Sequence, residues 1–301
     1  MSNPIIIVAG ANGKLGGLII KSLIQRGAKV RALVRSTGAK SRLDCLQDIG
    51  VDIHQVEFKS KADLIKVCEG GTCVVSAISG LRESIIEAQS ELLMAAVSAK
   101  VPRFIPSDFS IDFTKLPVGS NRNLDLRREF HEYLAKSPIA ATTIFNGAFA
   151  DMLSGQAPFI LFKLKRVLCW GSLDQKMDFT TIEDTARFTA AAAIDPSTPR
   201  FLRVAGDQVS ARDLATIASE VFGQKFGVLR PGSLELFGLL IKFVRKLSKD
   251  TGELYPAWQG MQYMQNMYGG AAKLEPLDND RYPDFNWTSV REILASRKKT
   301  K

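Results

Sequence analysis

Apolar and polar positions run along the first half of the chain in two alternating periods. Ile5-Ile6-Ile7-Val8-Ala9 is a continuous apolar run rich in β-branched residues, the pattern of a parallel strand buried on both faces. A glycine-rich segment follows at residues 10–17. Leu18, Ile19, Leu23 and Ile24 then fall at helical spacing, and Gly27 ends that helix. Further strands are predicted at 29–34, 51–56, 72–78, 103–105 and 141–145. A polar helix is predicted around 41–49, and a long helix at 84–100 places Ile85, Ala88, Leu92, Ala95, Ala96 and Ala99 on one face. Strand and helix alternating this regularly predict a parallel sheet covered on both faces. Right-handed crossovers make a doubly wound α/β fold its natural topology.

The pattern changes near residue 150. Residues 159–164 and 167–170 predict a short antiparallel pair, 182–194 an alanine-faced helix, and 201–204 a strand returning to the sheet. Ser210, with Asp213 three positions on, predicts the cap of a helix ending near Gly223. Residues 232–247 form a strongly apolar helix. Trp258, Met261, Met264 and Met267 recur at spacing three in the next one, and Thr288 stands as the cap of the last. The expected division is a Rossmann domain over 1–150, with 178–206 returning to it. A smaller, mostly helical substrate domain takes 151–177 and 207–301.

Gly10-Ala11-Asn12-Gly13-Lys14-Leu15-Gly16 has the spacing G-x-x-G-x-x-G, directly after a buried strand and at the head of an amphipathic helix. Gly10 allows the tight turn, Gly13 lets backbone approach a pyrophosphate, and Gly16 permits close helix–strand packing. The helix head adds N–H groups and the positive dipole end. An NAD enzyme places an acid at the end of the second strand; here that strand ends in Arg35-Ser36, about 20 residues past the loop. A guanidinium grips a phosphate bidentately, so NADP(H) is the expected cofactor, with Lys14 and the Ser36 hydroxyl assisting. Ala77 and Ser79 at the fourth strand, Ser107 and Asp108 after the fifth, and Asn146 after the sixth stand at carboxyl ends of strands. There, open α/β sheets bind ligands; Ala77, Ser79, Asp108 and Asn146 join the cofactor-binding set.

Composition narrows the class. With 301 residues, 46% hydrophobic and 24% charged, the chain is neither disordered, collagen-like nor coiled coil. The longest apolar stretch, 234–244, is broken by Glu235 and Lys242 and falls short of the roughly 20 residues of a membrane span. The N-terminus lacks a signal-peptide pattern. Cys45, Cys68, Cys73 and Cys169 show no C-x-x-C pairing, so a reduced, cytoplasmic protein is expected. His54 and His131 are the only histidines, which leaves no metal site in prospect. The net charge of +9 is dispersed, apart from the tail Arg297-Lys298-Lys299-Thr300-Lys301, read as a solvated end. Neither nucleic acid nor membrane is expected as a partner, and the chain is expected to be a monomer or homodimer.

The glycine motif, the string Val-Arg-Ala-Leu-Val-Arg at 30–35, Arg103-Phe104-Ile105-Pro106-Ser107-Asp108-Phe109, and Asp178-Phe179-Thr180-Thr181-Ile182-Glu183-Asp184-Thr185-Ala186 together resemble one family. It is the NmrA-like, isoflavone-reductase-like branch of the atypical short-chain dehydrogenases. The resemblance runs to about residue 225 and is looser beyond. It implies an NADPH-binding Rossmann domain with a small C-terminal substrate domain. Members include reductases of phenolic, conjugated or benzylic substrates, and redox-sensing regulators that bind the nucleotide without catalysis. The reductases carry Pro-Ser-Glu-Phe-Gly and then an acid/base lysine in the following helix. This chain has Pro106-Ser107-Asp108-Phe109-Ser110, and Leu124-Asp125-Leu126-Arg127 puts Arg127 at the lysine's position.

That exchange alters the chemistry, because arginine effectively never gives up its proton. Arg127 can steady an oxyanion or hold a phosphate, and it is counted in the cofactor-binding set as well. The Tyr-x-x-x-Lys pair of ordinary short-chain dehydrogenases is also absent, since Tyr133 and Lys136 are three apart. His131 shares a helix face with Arg127, and because histidine as a residue type can exchange a proton near neutral pH it is a candidate proton donor or relay. Arg127, His131 and Ser107 form the expected catalytic set. Asn121, Arg122 and Asn123 stand as polar cleft residues, with Asn123 equally explained as a cap.

The leading expectation is an NADPH-dependent reductase of a small hydrophobic carbonyl or conjugated substrate, aromatic or quinone-like. Arg127 would steady the oxyanion, and the proton would come from His131, Tyr255 or water. The alternatives are a non-catalytic NADP(H) sensor that regulates a protein partner, and an isomerase or dehydratase holding the nucleotide tightly. Apolar side chains of the 232–247 and 255–268 helices serve either as a domain core or as the lining of a substrate pocket.

Overall fold

The structure is a computed structural model that describes residues 3–34, 46–249, 252–283 and 285–300. Arg35, Ser36, Cys45 and most of the predicted 41–49 helix lie outside the described residues.

Six parallel strands make the main sheet, in the order β3-β2-β1-β4-β5-β6. They are β1 (Ile5–Ala9), β2 (Lys29–Val34), β3 (Asp52–Gln55), β4 (Cys73–Ser76), β5 (Arg103–Ile105) and β6 (Ala140–Ala141). The branched run of β1 occupies the centre, paired with β2 from Ile5↔Lys29 and with β4 from Ile6↔Cys73. The chain winds outward to β3 and then crosses back to β4, so the strand order reverses between β1 and β4. A doubly wound sheet binds ligands at the carboxyl ends beside such a point.

Helix α1 (Lys14–Gln25) buries Ile19, Ile20 and Leu23. Helix α2 (Lys61–Cys68) and the long α3 (Gln89–Ser98) pack together with Ile7, Val74, Phe104 and Phe130 in one core. The predicted 84–100 helix opens with a π-helical turn over Glu83–Ala88. Such turns mark places where a side chain is re-aimed; here Gln89, which follows, is fully buried. Helix α4 (Arg122–Ala135) contributes Phe130 and Leu134 to the same core. The alanine-rich α5 (Ile182–Ile194) packs on α1. Buried Arg103 donates to the carbonyls of Ala192 (2.9 Å) and Asp195 at its carboxyl end, where the helix dipole favours a cation.

Two predicted strands are corrected. The 141–145 run does not form a single sixth strand: β6 ends at Ala141, and β7 (Thr143–Phe145) pairs instead with β12 (Phe201–Arg203). The reason lies in successive N–H groups that point opposite ways. Thr142 N–H donates to the Phe104 carbonyl at 3.0 Å, whereas Thr143 N–H donates to the Arg200 carbonyl at 2.9 Å. Residues 201–204 therefore return to β7 and not to the main sheet.

The chain divides into two compact units, one of residues 1–109, 126–144 and 182–202, the other of 110–125, 145–181 and 203–301. Within the second, β9 (Ile160–Leu161) pairs antiparallel with β10 (Arg166–Leu168), as the pattern predicts, and β14 (Gly227–Leu229) joins β10. β8 (Ala148–Phe149), β11 (Met177–Thr180) and β13 (Asp207–Val209) form another small sheet. Ser210 and Asp213 close the predicted capping box on α6 (Ala211–Phe222). Then come α7 (Leu234–Leu247), α8 (Ala257–Gly269) and α9 (Val290–Thr300). Trp170 stacks on Phe237 of α7 at 4.6 Å, and Phe159 meets Phe179 and Tyr268 edge-on.

The cap of α9 is Ser289, not Thr288. Glu292 N–H donates to Ser289 Oγ at 3.3 Å, and its carboxylate accepts from Ser289 N–H at 2.7 Å, the S-x-x-E box one residue later. Residues 277–283, whose pattern implies no chemistry, act as a splint. Arg203 and Ala205 N–H donate to the Asp278 and Asn279 side chains at 2.8 and 3.1 Å, completing an otherwise open edge.

Candidate nucleotide site and the end of strand β5

The loop between β1 and α1 assigns a separate task to each glycine. Gly10 has φ +82°, and a Cβ there would overlap the Ala77 backbone. A Cβ on Gly16 would overlap the Gly10 carbonyl, so α1 lies directly on the turn. Gly13 differs: an added Cβ would meet only the Gly10 oxygen, at 3.2 Å. Gly13 is also exposed and serves as the N-cap of α1, whose first turn holds no acidic side chain. The positive end of the helix is thus presented without a carboxylate to oppose an anion.

A cavity of about 290 Å³ lies against this loop, lined by residues 10–13, Leu33 and Val34 of β2, Phe58, and residues 77–79. Ala77 and Ser79, expected from sequence, line it; Leu33, Val34, Phe58 and Ile78 do so without having been predicted. Their signal was positional, since Leu33 and Val34 end the strand beside the loop. Arg35 and Ser36, expected on a 2′-phosphate, lie outside the described residues; Val34, which precedes them, lines the cavity. Lys14 is exposed at the head of α1 and Leu15 is half-buried behind it.

Beside the cavity, Ser107 ties strand ends together. Its N–H donates to Gln89 Oε1 at 2.9 Å, and its hydroxyl donates to the carbonyl of Ile78, a cavity residue, at 2.6 Å. Its own carbonyl accepts from Arg127 Nε at 3.0 Å. Arg127 is only 8% exposed. The guanidinium at the family lysine's position is therefore fixed against the end of β5.

Asp108 and His131 come together as well. His131 Nε2 lies 2.6 Å from Asp108 Oδ2, and the Thr143 hydroxyl donates to the same oxygen at 2.9 Å. Arg200 completes the group: Nη1 donates to Thr143 Oγ1 at 2.7 Å, and Nη2 faces His131 Nδ1 at 3.4 Å. A guanidinium has donors only, so Nδ1 faces it as the acceptor and Nε2 carries the proton towards Asp108. This arrangement sets the imidazole between a carboxylate and a cation. Burial presses the Arg200 pKa downward while the Asp108 charge acts in the opposite sense. Thr143 and Arg200 were missed from sequence, because neither belongs to a motif and only the tertiary pairing of β7 with β12 brings them to His131.

The remaining candidates lie in the second unit. Asn146 is fully buried, and neither amide atom has a hydrogen-bond partner; its main chain is held by Ser110 and Thr180. Asn121, not Asn123, caps α4, accepting from Leu124 N–H at 3.3 Å. Arg122 stacks on Trp258 at 4.8 Å, and Asn123 donates to the Leu254 carbonyl at 3.0 Å. Trp258, Met264 and Met267 are core residues of their unit. Tyr255 is exposed. Among the described residues no cluster of three metal-ligating side chains is found, and no helix is long and apolar enough to cross a membrane.

A doubly wound sheet with a glycine cradle at its central reversal point defines a dinucleotide-binding α/β protein. The NmrA-like family model matches residues 2–280, and the chain belongs to that family. Pinoresinol reductase 2 of Arabidopsis thaliana is 27% identical over 219 residues, covering 64% of this chain and 65% of that protein, just under two thirds of its length. The bifunctional pinoresinol-lariciresinol reductase of Linum album is 23% identical over 325 residues, covering 96% and 93%. Among solved structures, AtPrR2 with NADP+ and (+)pinoresinol superposes with a TM-score of 0.84 at 21% identity, covering 99% of each chain. The binary complex of leucoanthocyanidin reductase and NADPH from Vitis vinifera superposes at 0.80 with 16% identity, covering 97% and 99%. These likenesses establish the doubly wound fold.

Proposed function

We propose that the protein is an NADPH-dependent reductase of a small hydrophobic, aromatic substrate with a reducible carbonyl, conjugated or benzylic centre. The observation that carries this reading is the open Gly13 position at the acid-free head of α1, beside a cavity that would take a nucleotide. Relatives and structural neighbours described as reductases, two of the latter with NADP+ or NADPH, support it.

The bound nicotinamide would supply hydride. Residues 10–16 would hold the pyrophosphate, and Arg35 with Ser36 the 2′-phosphate. Ala77, Ser79 and Asp108 remain proposed nucleotide-side residues, and Asn146 a proposed polar contact. Arg127, fixed on the Ser107 carbonyl, would steady developing negative charge without exchanging a proton. We assign His131 a positioning role: its Nε2–H is engaged by Asp108 and its Nδ1 faces a cation, so water is the simpler proton source.

The test is loss of reduced-nicotinamide absorbance by the purified protein against lignans, isoflavonoids, quinones and enones. Turnover on an aromatic member supports the reading. Tight NADPH binding with no turnover on any of them favours the second reading, a nucleotide-binding sensor, for which arginine in place of the family's lysine is the specific motive.

A further inference from the structure

Helix α7 is apolar on two faces, and only one is covered. Phe237 and Ile241 are buried, with Phe237 stacked on Trp170. About a third of a turn round the helix, Leu236, Leu239, Leu240, Phe243 and Leu247 form a continuous stripe, each 38–68% exposed. No other helix among the described residues carries more than one large exposed hydrophobic side chain. A helix drawn only for a domain core leaves polar residues outward, so this stripe requires an occupant.

Charge indicates which one. Lys242 and Lys246 line one flank of the stripe, and Lys249 follows the helix; all three are exposed. Arg245 is engaged with the Trp258 ring at 4.8 Å. The only acid on the helix is Glu235, in its first turn. The stripe spans about 16 Å along one helix about 10 Å wide, a small fraction of the roughly 800 Å² per partner in a stable protein interface. It has the size and composition of an interfacial helix, with leucine and phenylalanine to enter the acyl boundary and lysines to meet anionic headgroups.

We propose that α7 docks the protein peripherally on an anionic lipid bilayer, lying in the interface plane. The lack of a spanning segment, from which no membrane partner is expected, does not bear on this mode, because a helix lying on the surface needs no span.

The test is co-sedimentation of the purified full chain with vesicles of phosphatidylcholine alone and of phosphatidylcholine containing one-third phosphatidylserine, at low and high salt. Binding to the phosphatidylserine vesicles is expected, falling with salt. Leu239→Glu with Phe243→Glu should lower it at least about tenfold. So should Lys242→Glu with Lys246→Glu, since each basic residue near such a surface is worth about fivefold in partitioning. All substituted positions are exposed, and circular dichroism checks that both variants remain folded. Absence of vesicle binding, or binding unchanged in both variants, overturns the proposal. So does a parent dimer that Leu239→Glu with Phe243→Glu converts to monomer while neither form binds vesicles, which would assign the stripe to a second copy of the chain.

Discussion

Replacing Gly13 by alanine should separate folding from nucleotide binding. Gly13 has φ −76° and ψ 157°, a conformation open to any residue, so the substitution carries no left-handed strain. The new methyl would meet one atom, the Gly10 oxygen, at 3.2 Å, a contact relieved by a shift of a few tenths of an ångström. Alanine is a poorer N-cap than glycine by up to about 1 kcal/mol. The lost unfolded-chain entropy of glycine returns about 0.4–1 kcal/mol. The net change in stability should therefore lie near zero. The methyl would stand where backbone is to meet pyrophosphate. Displacing the phosphates far enough to lose one charge-assisted N–H contact removes about 1.5–3 kcal/mol, or roughly ten- to a hundredfold in affinity. Urea unfolding and calorimetric titration with NADPH read the two quantities independently. Gly16→Ala is the contrasting variant. Its Cβ would overlap the Gly10 carbonyl, backbone that cannot step aside, and should cost about 1–3 kcal/mol of stability as overpacking does. A Gly13→Ala protein that folds like the parent and binds NADPH within about twofold of it would refute the assignment of the cradle.

Arg35→Asp should abolish or reverse a preference for NADPH over NADH of about ten- to a hundredfold; equal affinities of the parent for the two cofactors, measured by calorimetry, would sink the claim. Ser289→Ala removes the capping box of α9 and should lower the urea midpoint by an amount equivalent to about 1 kcal/mol. Burial pushes the Cys73 thiol from 9.0 up to about 12 and the Cys68 thiol to about 11. The folded state keeps these protons after the unfolded chain has released them, so their contribution is intact below about pH 9 and is lost above it. Stability should decline between about pH 8 and 10.5 by about 2 kcal/mol per thiol. Cys73→Ala, whatever its effect at pH 8, should flatten that decline in urea midpoints measured across the range.

The sheet was legible because its central strands are buried on both sides. Ile5 to Ala9 has no polar face to hide, and each such run emerged as a strand. The glycine loop was legible because the spacing alone marks the tight turn at Gly10 and the close helix packing at Gly16, both of which a Cβ would block. The 141–145 run was misread for the opposite reason. Ala-Ala-Thr-Thr-Ile-Phe is continuous in pattern, and what splits it is the partner each threonine N–H finds, Phe104 for one and Arg200 for the next. No local signal encodes that choice. The same distant pairing hid Thr143 and Arg200 from the site. The α9 cap, by contrast, was readable: Ser289 and Glu292 have capping-box spacing, and Thr288 misdirected the assignment by one residue. The outer stripe of α7 was visible as apolarity but not as exposure, since helical periodicity alone cannot say which of two apolar faces the rest of the chain will cover.

The polar groups at the end of β5 bear on the proposed chemistry through how fully they are engaged. Ser107 uses its N–H, hydroxyl proton and carbonyl on Gln89, Ile78 and Arg127. Asp108 Oδ2 receives both His131 and Thr143, and Arg200 stands behind them. A proton relay needs a member that can pass its proton on without leaving a buried charge unpaired. If His131 donated its Nε2 proton to a ligand, Asp108 would lose a donor while Nδ1 still faced Arg200, whose guanidinium does not release protons at neutral pH. The network is better suited to rigidity than to transfer. It sets the segment that follows β5 against α4, and with it the guanidinium of Arg127. A fixed cation of that kind requires no reorganisation when charge develops beside it, whereas a tuned lysine would add proton exchange at the cost of a titrating charge. An arginine at this position therefore accords with a reductase that steadies negative charge and takes its proton from solvent, and equally with a protein that holds the nucleotide and goes no further; the two part only at turnover.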